Sequence, residues 1–242
     1  MLVFEVMGGK ELIKVQVEYY RARAPEYDEW FFRQGRYDQG PAHRAQWLGE
    51  AGEIEADLRS TVRDGAVLEL ACGTGLWTRH LAQSNRRVVA VDVAPEAIAR
   101  NRERVHAGNV DYVIADIFSW KASLKFDFAF FSFWLSHVPE EMFEAFWTRV
   151  GEMLLPNGRV FFIDSLLEES SSACDHAPLN RSGISRRKLN DGSEFDIVKI
   201  FYEPKELEAR LRDMGWTGRV RTTERFFLYG CFERASEPRS RI

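Results

Sequence analysis

Residues 69–75 read Glu-Leu-Ala-Cys-Gly-Thr-Gly and follow the apolar run Ala66-Val67-Leu68. An apolar run that ends in a glycine-rich turn and then enters a helical pattern has the form of a strand–loop–helix nucleotide site. Glycine lets backbone approach a ligand where a Cβ would clash. The helix beyond offers free N–H groups at its start. A second apolar run, Val88-Val89-Ala90-Val91, ends in Asp92. An acidic residue at the tip of a second strand is placed to accept both hydroxyls of a ribose. A third run ends in Ala115-Asp116-Ile117, and after a fourth comes Phe131-Ser132-Phe133-Trp134-Leu135-Ser136-His137. Phe133 and Trp134 can wall an apolar pocket or pack the core. His137 can act as a general base toward a hydroxyl, or serve as a helix-start residue.

These residues need a frame, and the flanking pattern supplies one. Strands are predicted at 66–71, 87–92, 110–115, 126–132 and 158–164, and helices at 75–84, 95–106, 139–154 and 204–214. Pro95 and Pro139 suit helix starts, with Glu96, Glu140 and Glu141 beside them favouring the positively polarised ends. The strands are near-continuous apolar runs, as expected when both faces are covered. Strands alternating with helices imply an α/β fold with a doubly wound, mostly parallel sheet. Upstream, Trp47, Ala51, Ile54 and Leu58 make one face of a helix over 41–60 and belong to the core. Residues 10–37 carry Tyr19, Tyr20, Tyr27, Trp30, Phe31, Phe32 and Tyr37. They read as a short helix plus a loop, either packed on the core or lying over the site as a lid. Asp191-Gly192 between two strand-like runs is a hairpin signal. That hairpin would cap the site, form a dimer surface or lie plainly on the outside. Strand candidates at 218–223 and 225–233 close the chain.

With 242 residues the chain suffices for one large α/β domain. Its expected parts are an N-terminal helical cap (1–60), a core (61–165), an inserted hairpin or lid (166–203), a closing helix and strands (204–234), and a frayed tail (235–242). The net charge of −4 argues against a nucleic-acid protein held by global charge. Cys72, Cys174 and Cys231 show no Cys-x-x-Cys spacing, so no metal site or disulfide framework follows, and a reducing cytoplasm is the simple expectation. No apolar stretch nears the ~20 residues of a membrane span. The apolar start Met1 to Val6 lacks the marks of a signal peptide.

The Glu/Asp-x-x-x-Gly-x-Gly loop at 69–75, with Asp92 and Asp116 at strand ends, resembles the class I S-adenosylmethionine-dependent methyltransferases. The likeness covers roughly residues 60–165. It implies a Rossmann-like seven-stranded sheet and S-adenosylmethionine as cofactor, with S-adenosylhomocysteine as product. The implied cofactor-binding set is Tyr20, Tyr27, Glu69, Ala71, Gly73, Thr74, Gly75, Asp92, Val93, Asp116, Ile117, Ser132 and Phe133. In it Asp92 takes the ribose, Val93 and Ile117 pack on the adenine, and Asp116 meets its amino group. Glu69 sits near the ligand's amine or bonds the loop instead. Tyr20 and Tyr27 close over the methionine end. The expected activity is methyl transfer to an O or N atom of a small, apolar or aromatic metabolite by a monomer or homodimer, without nucleic-acid or membrane partner. A non-catalytic cofactor-binding module and a nicotinamide-dependent oxidoreductase are the rivals. The latter's fingerprint wants a third glycine where Thr78 stands.

Overall fold

Apolar strands without polar alternation need cover on both faces, and the computed structural model provides it. It describes residues 9–62, 64–84, 86–176, 178–179 and 183–234. The opening Met1 to Val6 and the expected frayed tail at 235–242 lie outside those residues.

Helices α1 (Gly9–Arg23), α2 (Tyr27–Phe31) and α3 (Pro41–Thr61) come first. Then β1 (Ala66–Leu70), α4 (Thr78–Ser84), β2 (Arg87–Asp92), α5 (Pro95–Val105), β3 (Val110–Ile114) and β4 (Phe126–Ser132) alternate. After single 3-10 turns at Leu135–His137 and Glu140–Met142 come α6 (Phe143–Met153) and β5 (Leu154–Ser165). A hairpin of β6 (Gly183–Lys188) and β7 (Glu194–Lys199) precedes α7 (Pro204–Asp213), β8 (Trp216–Thr222) and β9 (Phe227–Arg234). The main sheet has seven strands in the order β3-β2-β1-β4-β5-β9-β8, and β6-β7 form a separate pair. Strands β1 to β5 are parallel, and β9 runs antiparallel to both β5 and β8.

Period-two alternation sorts the strand residues into two layers. On one face Ala129, Phe131 and Phe162 meet Phe146, Trp147 and Val150 of α6 and Leu207 and Leu211 of α7. On the other, Phe128, Phe130 and Phe161 meet Trp47, Ala51, Ile54 and Leu58 of α3 and Leu81 of α4. The α3 stripe is therefore core, as its spacing predicts.

Four boundaries differ from expectation. The segment at 10–37 forms two helices and a 3-10 turn, because Tyr19, Trp30 and Phe31 find buried partners. Helix α4 starts at Thr78 rather than 75, since Gly75 takes a φ of 87° inside the loop. Pro139 precedes a 3-10 turn, and α6 proper begins at Phe143. Strand β5 starts at Leu154, which pairs with Phe126 ahead of a register shift.

Candidate active site

The strand order reverses between β1 and β4, and the crevice at their carboxyl ends is where an open α/β sheet takes ligands. A cavity of about 780 Å³ opens there. Its floor is Ala71, Gly73 and Thr74 after β1 and Ser132, Phe133 and Trp134 after β4. Asp92, Val93, Ala94 and Ala97 line one side, and Asp116, Ile117 and Phe118 another. Ile13, Gln16, Val17 and Tyr20 of α1, with Ala24 and Tyr27 after it, form the roof.

The loop is shaped by residues with left-handed backbone. Ala71 has φ 53° and Gly73 φ 52°. A Cβ built on Gly73 would meet nothing within 4 Å, so this glycine leaves space in a cradle on the cavity wall. Gly75 serves differently: a Cβ there would lie 2.5 Å from Asn101 Oδ1, so it permits close packing of α5. Phe133 also has a positive φ, 52°. That costs a bulky residue about 1–3 kcal/mol. It is held by donation of its N–H to Ile163 O at 2.7 Å and by the Trp30 ring edge at 4.7 Å between centroids.

Asp92 accepts the Gly73 N–H at 2.8 Å and the Ala94 N–H at 2.9 Å. Burial raises its carboxyl above the usual range, while the backbone donors pull it back. A carboxylate has about four acceptor positions, so Asp92, which lines the cavity, keeps capacity for a ligand. Asp116 accepts from Phe118 N–H at 2.9 Å and Ser119 Oγ at 3.1 Å. Glu69 does not line the cavity. It is fully buried beneath the loop, bonded by Thr78, with Oε2 unpartnered, and burial pushes its carboxyl up to about 8.

The roof is pinned to the loop. The Thr74 hydroxyl donates to Asp28 Oδ1 at 2.7 Å, and Arg104 of α5 donates to Thr74 O at 2.6 Å while pairing with Asp28. Gln16 donates to the His137 carbonyl at 3.0 Å, and its buried Oε1 has no partner beside the cavity.

A second cavity, of about 570 Å³, shares Tyr20, Tyr27 and Phe133 with the first. Arg23 from α1 and Arg187 from β6 converge on it, with Tyr19, Tyr37, Ser171, Ser172, His176 and Lys199 around them. Neither arginine has a carboxylate partner among the described residues. Arg23 lies against the rings of Tyr27 and Tyr19, 5.0 and 5.5 Å from their centroids. Arg187 donates to Ser172 Oγ at 2.7 Å, and burial together with the nearby Arg23 charge lowers its basicity. His176 is pushed down to about 4 by burial and the Arg187 charge, so it is neutral. Lys199 is different: it pairs with the fully buried Asp164 at 3.4 Å and donates to Ser136 Oγ at 2.8 Å.

His137 lies in this second cavity with both ring nitrogens engaged. Nδ1 donates to Val198 O at 2.6 Å, and Nε2 accepts from the Tyr20 hydroxyl at 2.7 Å. Burial, then the Lys199 charge, holds it well below the ordinary histidine value. The ring is neutral and committed, which leaves it no lone pair for a substrate proton. The expectation of a base titrating near ~6.5 does not fit this geometry.

The structure thus gathers all the expected cofactor residues round one cavity except Glu69 and Gly75, which support its loop. Trp134 lines this cavity and not the second one. The lining of the second cavity, rich in arginine and tyrosine hydroxyls, departs from the expected apolar acceptor pocket. Gln16, Arg23 and Arg187 were missed because each looks like an ordinary surface residue in sequence.

Residues 67–158 match a family described as methyltransferase domain. The chain is 30% identical over 222 residues to the ubiquinone biosynthesis O-methyltransferase of Xylella fastidiosa, covering 84% of this chain and 87% of that protein. It is 30% identical over 90 residues to nodulation protein S of Sinorhizobium fredii, covering 34% of this chain. The chain spans only 42% of the length of that relative. A solved structure titled "DhpI-SAH complex structure" superposes with a TM-score of 0.77 at 36% identity, over 93% of this chain and 98% of that one. Another, "DhpI-SAM-HEP complex", gives 0.73 at 37% identity, over 92% and 97%.

Proposed function

The chain belongs to the class I S-adenosylmethionine-dependent methyltransferases, and on that premise we propose that it methylates an oxygen of a small anionic acid. The observation that carries this reading is the pair Arg23 and Arg187, facing one cavity without a carboxylate between them. A buried and a half-buried cation that repel one another are costly unless an anion joins them. A carboxylate, phosphate or phosphonate would do so through charge-assisted hydrogen bonds, with the Tyr19 and Tyr37 hydroxyls as further donors.

The residues of the first cavity fit S-adenosylmethionine. Gly73 leaves a cradle for the methionyl chain, Gln16 Oε1 is a buried acceptor wanting a donor such as an ammonium, and Asp92 keeps free acceptor positions for the ribose. Val93 and Ile117 offer apolar sides for the adenine, and Asp116 stands at its rim. The cofactor supplies an electrophilic methyl group on a sulfonium.

An ionised acid brings its own nucleophilic oxygen. No base is needed, which agrees with a neutral, fully engaged His137. The protein's work is then positioning, worth up to ~7–11 kcal/mol when the geometry is near-attack. Arg23 and Arg187 hold the acid, and the roof of α1 and β6–β7 excludes water. Phe133, Tyr20 and Tyr27, shared by the two cavities, mark where the reacting atoms meet.

The test is a panel of small phosphonates, phosphate monoesters, carboxylates, phenols and amines, read by release of S-adenosylhomocysteine. Turnover is expected with one of the acids. Arg187→Gln should raise the KM for that acid about 10- to 150-fold, from a lost charge-assisted bond of ~1.5–3 kcal/mol. Turnover confined to neutral phenols or amines, or an unmoved KM, would remove the anion from this reading.

A further inference from the structure

Tyr20 borders both cavities, and its hydroxyl can serve there in only one sense. The Val198 carbonyl can only accept, so His137 Nδ1 carries the proton that bonds it. The ring is neutral, so Nε2 is bare and takes the phenolic proton of Tyr20. Burial keeps that phenol protonated. The oxygen of Tyr20 is thereby left as an acceptor with its donor turned away. Among the described residues no other hydrogen bond engages it.

Such an oxygen does two things beside a sulfonium and an acid. It cannot donate to the acid, so it does not mask the nucleophilic lone pair. It can accept from the polarised C–H groups of a methyl on a positively charged sulfur, a weak bond that a neutral thioether without that methyl cannot make. We propose that Tyr20, oriented by His137, is the residue that distinguishes the charged methyl donor from its demethylated product. Tyr20 would touch the reacting group, and His137 is a positioning residue that acts through it. The inference rests on the cofactor reading above, and not on the identity of the acceptor.

The readout is the ratio of the dissociation constants for S-adenosylhomocysteine and S-adenosylmethionine, taken by calorimetry on the full chain. Tyr20→Phe keeps the ring and removes the oxygen. It should lower the ratio about two- to five-fold, with the product's own affinity nearly unchanged. His137→Phe frees the phenolic proton to face the cavity and should lower the ratio at least as far. His137→Gln, whose amide oxygen can take that proton, should restore it. A purely structural role would weaken both ligands together and leave the ratio fixed. That outcome, or an unchanged ratio in Tyr20→Phe, overturns the proposal. Failure of the wild-type chain to bind either ligand would overturn the cofactor reading with it. A lowered ratio in a protein that methylates no acid would leave Tyr20 in place and sink only the anionic acceptor.

Discussion

Glu69 shows how one residue can shape a cavity without lining it. Its carboxyl lies beneath the glycine loop, bonded by Thr78, which in turn accepts from Asn101 Nδ2 at 2.8 Å. Asn101 also reaches the carbonyls of Cys72 and Gly73. The network therefore sets the loop's shape from below. Its cost appears in pH dependence. Folded Glu69 holds its proton up to about 8, whereas the unfolded side chain loses it near ~4.5. Between those values unfolding releases a proton, so rising pH favours the unfolded state. The cofactor-free protein should lose stability relative to Glu69→Gln by roughly 1.4 kcal/mol per pH unit across this window. Urea unfolding of both proteins from pH 5 to 8 measures it, and parallel curves would show that Glu69 is ionised throughout.

At the scale of elements, the N-terminal helices are held on the Rossmann-like core by specific side-chain bonds as well as by packing. Helix α2 is clasped by Asp28, Arg104 and Thr74, which ties it at once to the loop and to α5. The clasp is only partly shielded from solvent, so its strength is modest. Arg104→Ala should speed amide exchange about 5- to 10-fold in residues 28–32 and 73–75, a local loss of ~1–1.4 kcal/mol. Exchange in β4 and β5 should not change. Hydrogen exchange by mass spectrometry would resolve the segments, and unaltered exchange at 28–32 would mean that aromatic packing alone seats the cap. Tyr19, Ile197 and Leu189 pack α1 against the hairpin, so cap and hairpin meet over the second cavity.

For the molecule as a whole, the hairpin is the addition that the seven-stranded sheet does not require. Its link to the sheet is a buried charge pair, Lys199 with Asp164. Asp164 also accepts the N–H groups of Ser136 and Ser165 at 2.8 Å each, so it stays where it is when the lysine goes. Lys199→Met should destabilise the protein by about 3–5 kcal/mol, because a charge is left buried alone. Adding Asp164→Asn should recover a large part of that loss. Denaturant midpoints of the two single variants and the double variant form the cycle, and strictly additive costs would show that the two charges do not interact. The same hairpin brings Arg187 to the second cavity, so the added element lines a cavity as well as packing on the cap.

Local sequence was enough for the parts whose physics is local. Gly73 and Gly75 announced a turn, the apolar runs announced strands covered on both sides, Pro95 opened a helix, and Asp191-Gly192 closed a hairpin. The lining of the first cavity was legible for the same reason: the loop after β1, Asp92 at the end of β2 and Asp116 after β3 stand at strand ends, and parallel strands deliver their ends to one edge. The second cavity was not legible, because no spacing along the chain relates its parts. Arg23 and Arg187 lie on α1 and β6, elements whose meeting depends on tertiary packing. From its place after β4, His137 read as either a base or a helix-start residue. Only the folded chain brought Tyr20 to one nitrogen and the Val198 carbonyl to the other, and so left the imidazole no proton to take. Sequence determines which groups stand at strand ends; partners that arrive from 117 and 61 residues away decide what those groups can do.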